Sequence, residues 1–329
     1  MSRMPDRAPE LVDGVASGDR RSLARAITIA ESTRPDHRAL AEEVLEALLP
    51  RTGAATRIGI SGPPGVGKST FIEAFGTHVI DEGHRLAVLA VDPSSRRTGG
   101  SILGDKTRMP DLSNRPEAYI RPSPGGGQLG GVARRTREAM LLCEAAGFDV
   151  VLVETIGVGQ SEVAVADMVD LFALLVAPAG GDELQGIKRG IMELADLVIV
   201  NKADGDLAPA AGRTRADYAN AVHLLRPKWR AWATEVHAVS ALTGAGIDDV
   251  WEAIGRFCAG VGADGELTAA RAEQARAWMW SEIGDALLDR FRADPEVAAL
   301  IGELEGEVAA ARLAPPRAAR RLLDAFTGG

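Results

Sequence analysis

The chain divides by the period of its apolar positions. Over residues 11–49 they recur at helical spacing, as in Ser22-Leu23-Ala24-Arg25-Ala26-Ile27, and Pro50 and Gly53 end the run. Asp36, following Pro35, is expected to cap the last helix of this prelude. From Arg57 the pattern changes to short, β-branched apolar runs, which predict strands at 58–60, 86–91, 119–120, 150–153, 171–176, 197–200 and 236–239. Longer helical patterns at 69–81, 132–146, 185–195, 214–225 and 247–257 fall between several of them. That alternation predicts an α/β fold with a mainly parallel, doubly wound sheet. From about Thr268 the strand signals stop, and helical periodicity runs to Phe326 with breaks at Pro295 and at Pro315-Pro316. The expected organisation is an N-terminal helical extension (1–54), an α/β domain (55–264) and a C-terminal helical arm (265–329). Trp278, Met279 and Trp280 belong to an apolar face of the arm that either folds back on the α/β domain or forms a dimer interface.

Composition narrows the function. The 329 residues suffice for a large core, and an aromatic content of 4% makes that core aliphatic. A net charge of −9 lacks the basic field that phosphate-backbone binding needs, so no nucleic-acid partner is expected. Apolar runs such as 171–179 are far shorter than the roughly 18–20 residues of a membrane span. Residues 1–10 do not read as a signal peptide, so the expectation is a cytoplasmic protein off the membrane. Cys143 and Cys258 lie apart in helical patterns and read as free thiols.

Gly62-Pro63-Pro64-Gly65-Val66-Gly67-Lys68-Ser69 matches G-x-x-x-x-G-K-S between an expected strand and an expected helix. Its glycines let successive N–H groups converge on phosphate oxygens, and the helix start adds its positive end. Lys68 is expected to reach the β- and γ-phosphates, and the Ser69 hydroxyl to ligate Mg²⁺, with Thr70 next in the loop. The second signal is Asn201-Lys202-Ala203-Asp204, after the apolar run 197–200. A carboxylate there accepts from the N1–H and 2-amino groups of guanine, whereas adenine leaves it unpaired. Lys202 would lay its stem along the base and Asn201 would brace the loop. Ser240-Ala241-Leu242 lies where a backbone N–H can reach guanine O6. The nucleotide expected is therefore GTP, with GDP as product.

Asp92 and Glu154 each follow an apolar run, which places both near the phosphates and Mg²⁺; Asp92 either ligates the ion or orients the attacking water. In Glu154-Thr155-Ile156-Gly157 the N–H of Gly157 is placed to sense a γ-phosphate. The polar, Gly-containing stretches 92–108 and 180–190 have the composition of switch loops, and Lys188 or Arg189 is a cation available in cis.

Longer strings carry a resemblance. Val91-Asp92-Pro93-Ser94-Ser95, Thr98-Gly99-Gly100-Ser101-Ile102-Leu103-Gly104-Asp105-Lys106-Thr107-Arg108-Met109, Glu154-Thr155-Ile156-Gly157-Val158-Gly159-Gln160-Ser161-Glu162 and Gly181-Asp182-Glu183-Leu184-Gln185-Gly186-Ile187-Lys188 resemble the GTPase chaperones of methylmalonyl-CoA mutase. The resemblance spans nearly the whole chain. It implies a fold similar to the signal-recognition and metal-insertion GTPases, helical extensions at both ends, and a homodimer formed through the C-terminal one. It also implies that GTP hydrolysis gates cofactor loading and protects or reactivates an adenosylcobalamin-dependent acyl-CoA mutase. The family's nucleotide residues carry over as Gly62 through Thr70, Asn201, Lys202 and Asp204, and its magnesium and switch acids as Asp92 and Glu154. Pro63-Pro64 and Gly125-Gly126-Gly127 depart from the family pattern. A nickel-insertion GTPase and a P-loop kinase are the competing readings; five His and two separated Cys give the first no ligand cluster, and the guanine motif argues against the second.

Overall fold

The structure, a computed structural model, describes residues 7–91, 109–122, 129–155, 161–178 and 189–328, excepting the side chains of 129–132, 161 and 189. Three helices come first: α1 (Ala8–Ala16), α2 (Arg20–Ala30) and α3 (Pro35–Leu48). Asp19 caps α2, accepting from the Ser22 N–H at 2.9 Å. Asp36 does not cap α3. Pro35 occupies the first helical position, where its missing N–H costs nothing, so the cap falls to Arg34 and Asp36 lies in the first turn, 2.6 Å from the Arg34 guanidinium.

The α/β region follows as β1 (Thr56–Ser61), α4 (Lys68–Asp81), β2 (Leu86–Val91), α5 (Pro110–Asn114), β3 (Ala118–Arg121), α6 (Leu129–Ala145), β4 (Val150–Thr155), α7 (Ser161–Ala166), β5 (Leu171–Val176), α8 (Arg189–Met192), β6 (Leu197–Val200), α9 (Ala208–His223), β7 (Glu235–Ala238) and α10 (Ile247–Ala263). The seven strands form one sheet in the order β3-β2-β4-β1-β5-β6-β7, and every pairing is parallel. The α/β, doubly wound reading therefore holds. All carboxyl ends lie along one edge, where open parallel sheets take their ligands.

Alternation along each strand feeds two main layers of core. Leu89, Val151, Val153 and Phe172 pack with residues of α1, α2, α3, α6 and α7. Ile58, Ile60, Val88, Leu152 and Leu175 face α4 and α10, whose Phe71, Phe75, Ile254 and Phe257 are buried. Each such side chain contributes about 1.5–3 kcal/mol of burial. A third cluster joins β5 and β6 to α9 through Val176, Val198 and Tyr218.

At the opposite edge, the sheet begins on a buried charged network. The Arg57 Nε donates to Glu144 Oε1 at 2.5 Å, and the Gly53 N–H donates to Glu144 Oε2 at 2.5 Å. Asp170 Oδ2 accepts from the Arg57 N–H at 2.8 Å and from Arg271 Nη2 at 2.6 Å, while Arg271 Nε donates to Oδ1 at 2.7 Å. Arg271 also donates to the carbonyls of Gly53 and Ala55. It lies in the first turns of α11 (Glu266–Ala293), so this network fixes where that helix starts against β1 and β5.

Two compact units meet within α11: a larger one ending at Gln274 and a smaller one beginning at Ala275. The smaller unit contains the rest of α11, α12 (Pro295–Ala309) and α13 (Pro315–Thr327). Asp294 caps α12, accepting from the Glu296 N–H at 2.9 Å, and Phe291 meets Phe326 edge-on at 5.3 Å. No helix among the described residues is long and apolar enough to cross a membrane.

Because Arg57 and Glu144 are both buried, removing one partner strands the other. Glu144→Ala is expected to lower stability by roughly 3–5 kcal/mol in urea unfolding, and a loss below about 1 kcal/mol would contradict this assignment.

Candidate nucleotide site

The phosphate loop begins where β1 stops. Gly62 has φ +153°, and a Cβ built on it would stand 2.4 Å from the Leu175 carbonyl oxygen, so only glycine lets the chain leave the sheet here. Gly65 has φ +79° with open space around it, and Gly67 takes φ +94° as the N-cap of α4. Pro63 and Pro64 are exposed on the outside of the turn, Val66 is buried beneath it, and Ser69 and Thr70 follow Lys68 in the first turn of α4. The loop is thus a concave backbone at a helix N-terminus, the arrangement that binds phosphate.

Lys68 is buried and folds back along the loop, its Nζ donating to the carbonyl oxygens of Gly62 at 2.7 Å and Pro63 at 3.3 Å. Burial pulls its pKa down, and the nearby carboxylates of Glu154 and Glu162 oppose that shift. Glu154 is buried near the end of β4, in register with Ile60 of β1. Beside it, the Thr155 hydroxyl donates to Ser61 Oγ at 2.8 Å and locks the two strand ends together.

The second motif is joined to the first. Asn201 is buried after β6, and its Nδ2 donates to the Val66 carbonyl at 3.0 Å and to that of Gly67 at 3.4 Å. Its Oδ1 accepts from the Ala241 N–H at 3.1 Å. Lys202 adopts φ +59°, and its Nζ reaches the Gly65 carbonyl at 2.7 Å. Asp204 is half-buried, with Oδ2 accepting from the Ser240 hydroxyl at 2.7 Å. Residues 62–70, 201–204 and 240–242 therefore form one continuous surface, half of it phosphate cradle and half a cleft with a carboxylate on its wall.

The chemistry present fits a magnesium nucleotide. Ser69 and Glu154 are hard oxygen donors near the cradle, and Mg²⁺ is ordinarily held by one or two such groups together with phosphate oxygens. No group of three His, Cys, Asp or Glu residues able to hold a metal occurs among the described residues. Asp92, Gly157 and Lys188 lie outside the described residues. Two roles had no sequence signal: the Ser240 hydroxyl fixing Asp204, and the buried Glu162 acting electrostatically on Lys68. Cys143 is buried, Cys258 is half-buried, and both are free.

A parallel sheet, a glycine-built loop opening a helix, and a carboxylate-bearing motif stapled to that loop define a P-loop GTPase. Residues 23–296 match the family described as "Methylmalonyl Co-A mutase-associated GTPase MeaB", and the chain belongs to that family. A "Putative GTPase" of Caulobacter vibrioides is 57% identical over 312 residues, covering 95% of each chain. "Methylmalonic aciduria type A homolog, mitochondrial" of Mus musculus is 49% identical over 98% of this chain and 81% of its own. A solved structure described as "Crystal structure of LAO/AO transport system kinase" is 39% identical, with a TM-score of 0.77 and coverage of 99% and 100%.

Asn201→Ala deletes three hydrogen bonds in a buried setting. It is expected to cost about 1–3 kcal/mol in thermal or urea unfolding and to weaken guanine-nucleotide binding; wild-type values for both would refute the staple.

Proposed function

We propose that this GTPase serves an adenosylcobalamin-dependent acyl-CoA mutase such as methylmalonyl-CoA mutase, gating cofactor loading and protecting or reactivating the enzyme. The observation that carries the nucleotide part is the stapled pair of motifs, Lys68 on the phosphate loop and Asp204 in the base cleft. The mutase follows from the family to which the chain belongs. A cytoplasmic location is kept as part of the reading.

The residues act as follows. Backbone N–H groups of residues 65–70 bind the β- and γ-phosphates, and Lys68 exchanges the Gly62 and Pro63 carbonyls for phosphate oxygens as negative charge arrives. Ser69, Glu154 and Asp92 would hold Mg²⁺, which would supply charge neutralisation at the phosphates. Asp204, oriented by Ser240, accepts from the guanine N1–H and 2-amino group, and the stem of Lys202 forms a wall of the cleft. Ala241 already gives its N–H to Asn201, which leaves the exposed Leu242 as the position for a donor to guanine O6. Gly157 and Lys188, outside the described residues, belong to the reading as the groups that would act on the γ-phosphate.

The smaller unit is the proposed homodimer surface. Trp280, Ile283 and Leu287 are exposed at i, i+3 and i+7 on α11, with Met279 and Leu288 beside them. A second copy of the same stripe is self-complementary.

GTP, and not ATP, is expected to be hydrolysed to free phosphate, and the rate of mutase inactivation during turnover is expected to fall when the GTPase and GTP are present. Transfer of the γ-phosphate to an acceptor other than water, or an unchanged inactivation rate with every acyl-CoA mutase tried, would overturn the respective parts. Light scattering on the same preparation should read twice the chain mass. Asp204→Asn is expected to move base preference from GTP toward xanthosine triphosphate, and unchanged selectivity would displace the base site.

A further inference from the structure

Glu162 stands in the first turn of α7 and is 2% exposed. Its Oε2 has no hydrogen-bond partner among the described residues. A buried carboxylate oxygen left without a donor is costly, and structures retain such a group where something else completes it. Among the described residues, Glu162 and Glu154 both act electrostatically on Lys68. Lys68 gives hydrogen bonds to the carbonyls of Gly62 and Pro63 and so sits at the phosphate loop, where the charge of Glu162 acts on it.

A buried negative charge acting on the lysine of the phosphate loop opposes a bare polyphosphate. A nucleotide entering alone brings negative charge toward Glu162, which is out of contact with water, and there like charges repel far more strongly than in water. A divalent cation entering with it reverses the sign of the field and brings hydration-shell O–H donors. Glu154, near the end of β4, is placed as the inner acid; Glu162 is one element further along the chain, on the helix that follows.

We propose that Glu162 is a positioning residue that makes nucleotide binding depend on Mg²⁺, opposing bare phosphate through its charge and accepting from the hydrated cation through its free Oε2. The inference rests on the guanine-nucleotide reading of the site and adds a residue to it. It gives the acidic surroundings of Lys68 a purpose: they bias the loop against metal-free nucleotide, which lacks the charge compensation that hydrolysis needs.

The test measures affinity for a fluorescent GDP analogue, with Mg²⁺ and with excess EDTA, on the full chain. Wild type is expected to bind at least about tenfold more tightly with Mg²⁺. Glu162→Gln keeps the shape and removes the charge; its EDTA affinity is expected to rise by about tenfold, and the Mg²⁺ concentration for half-saturation to rise by a similar factor. Glu162→Asp keeps the charge, so its EDTA affinity should stay near wild type. Equal wild-type affinity with and without Mg²⁺ overturns the proposal without any variant. So does a folded Gln variant whose EDTA affinity is unchanged or weaker, including one in which only hydrolysis falls, since that result makes Glu162 a water-orienting group. Failure of wild type to bind the GDP analogue even with Mg²⁺ would instead refute the guanine-nucleotide reading.

Discussion

The side-chain amide of Asn201 holds the site together. One face of it donates to the carbonyls of Val66 and Gly67 in the phosphate loop, and the other accepts from the Ala241 N–H. Three loops that follow three different strands are thereby fixed to one buried group. An amide suits this position because it offers donors and an acceptor without charge, so it can be buried against backbone on both sides. Lys202 repeats the connection on the exposed side through Gly65, and Ser240 returns it through Asp204. The residues expected to read the base and the phosphate cradle are consequently joined by hydrogen bonds into a single object.

The parallel sheet makes that junction possible. Because every strand runs the same way, β1, β4 and β6 deliver the phosphate loop, Glu154 and Asn201 to one edge, and β7 leads into Ser240 there. The opposite edge is anchored by the Arg57, Glu144, Asp170 and Arg271 network, which also fixes the start of α11. Charge is used differently at the two edges. At the anchor each carboxylate is matched by a guanidinium and by backbone N–H groups, whereas Glu162, acting on Lys68, keeps a buried oxygen with no hydrogen-bond partner among the described residues. The first arrangement holds a structure in place; the second is suited to a charged ligand.

Much of the fold was legible because its punctuation is local. The uninterrupted apolar runs of β2, β5 and β6 have the same bounds in sequence and structure, and the glycines of the phosphate loop announce a backbone that bends. Boundaries slipped where a breaker residue was tolerated. The helix α9 starts at Ala208 rather than Thr214, because Pro209 sits in its first turn, where proline is favoured, and Gly212 is accommodated within it. Asp36 misses the capping position for the same reason: Pro35 takes the first helical position. At the site, motif residues could be read from spacing, but Ser240 orienting Asp204 and Glu162 acting electrostatically on Lys68 are interactions between distant segments. No periodicity encodes them; they arise only when strand order brings those segments to the same edge.

Amide hydrogen exchange of the GDP-bound protein measured against the free protein tests the unity of the site most directly. The account predicts that GDP slows exchange together in residues 62–70, 201–204 and 240–242, and that ADP at the same concentration slows none of them. Protection confined to residues 62–70, with the other two segments exchanging as in the free protein, would contradict it.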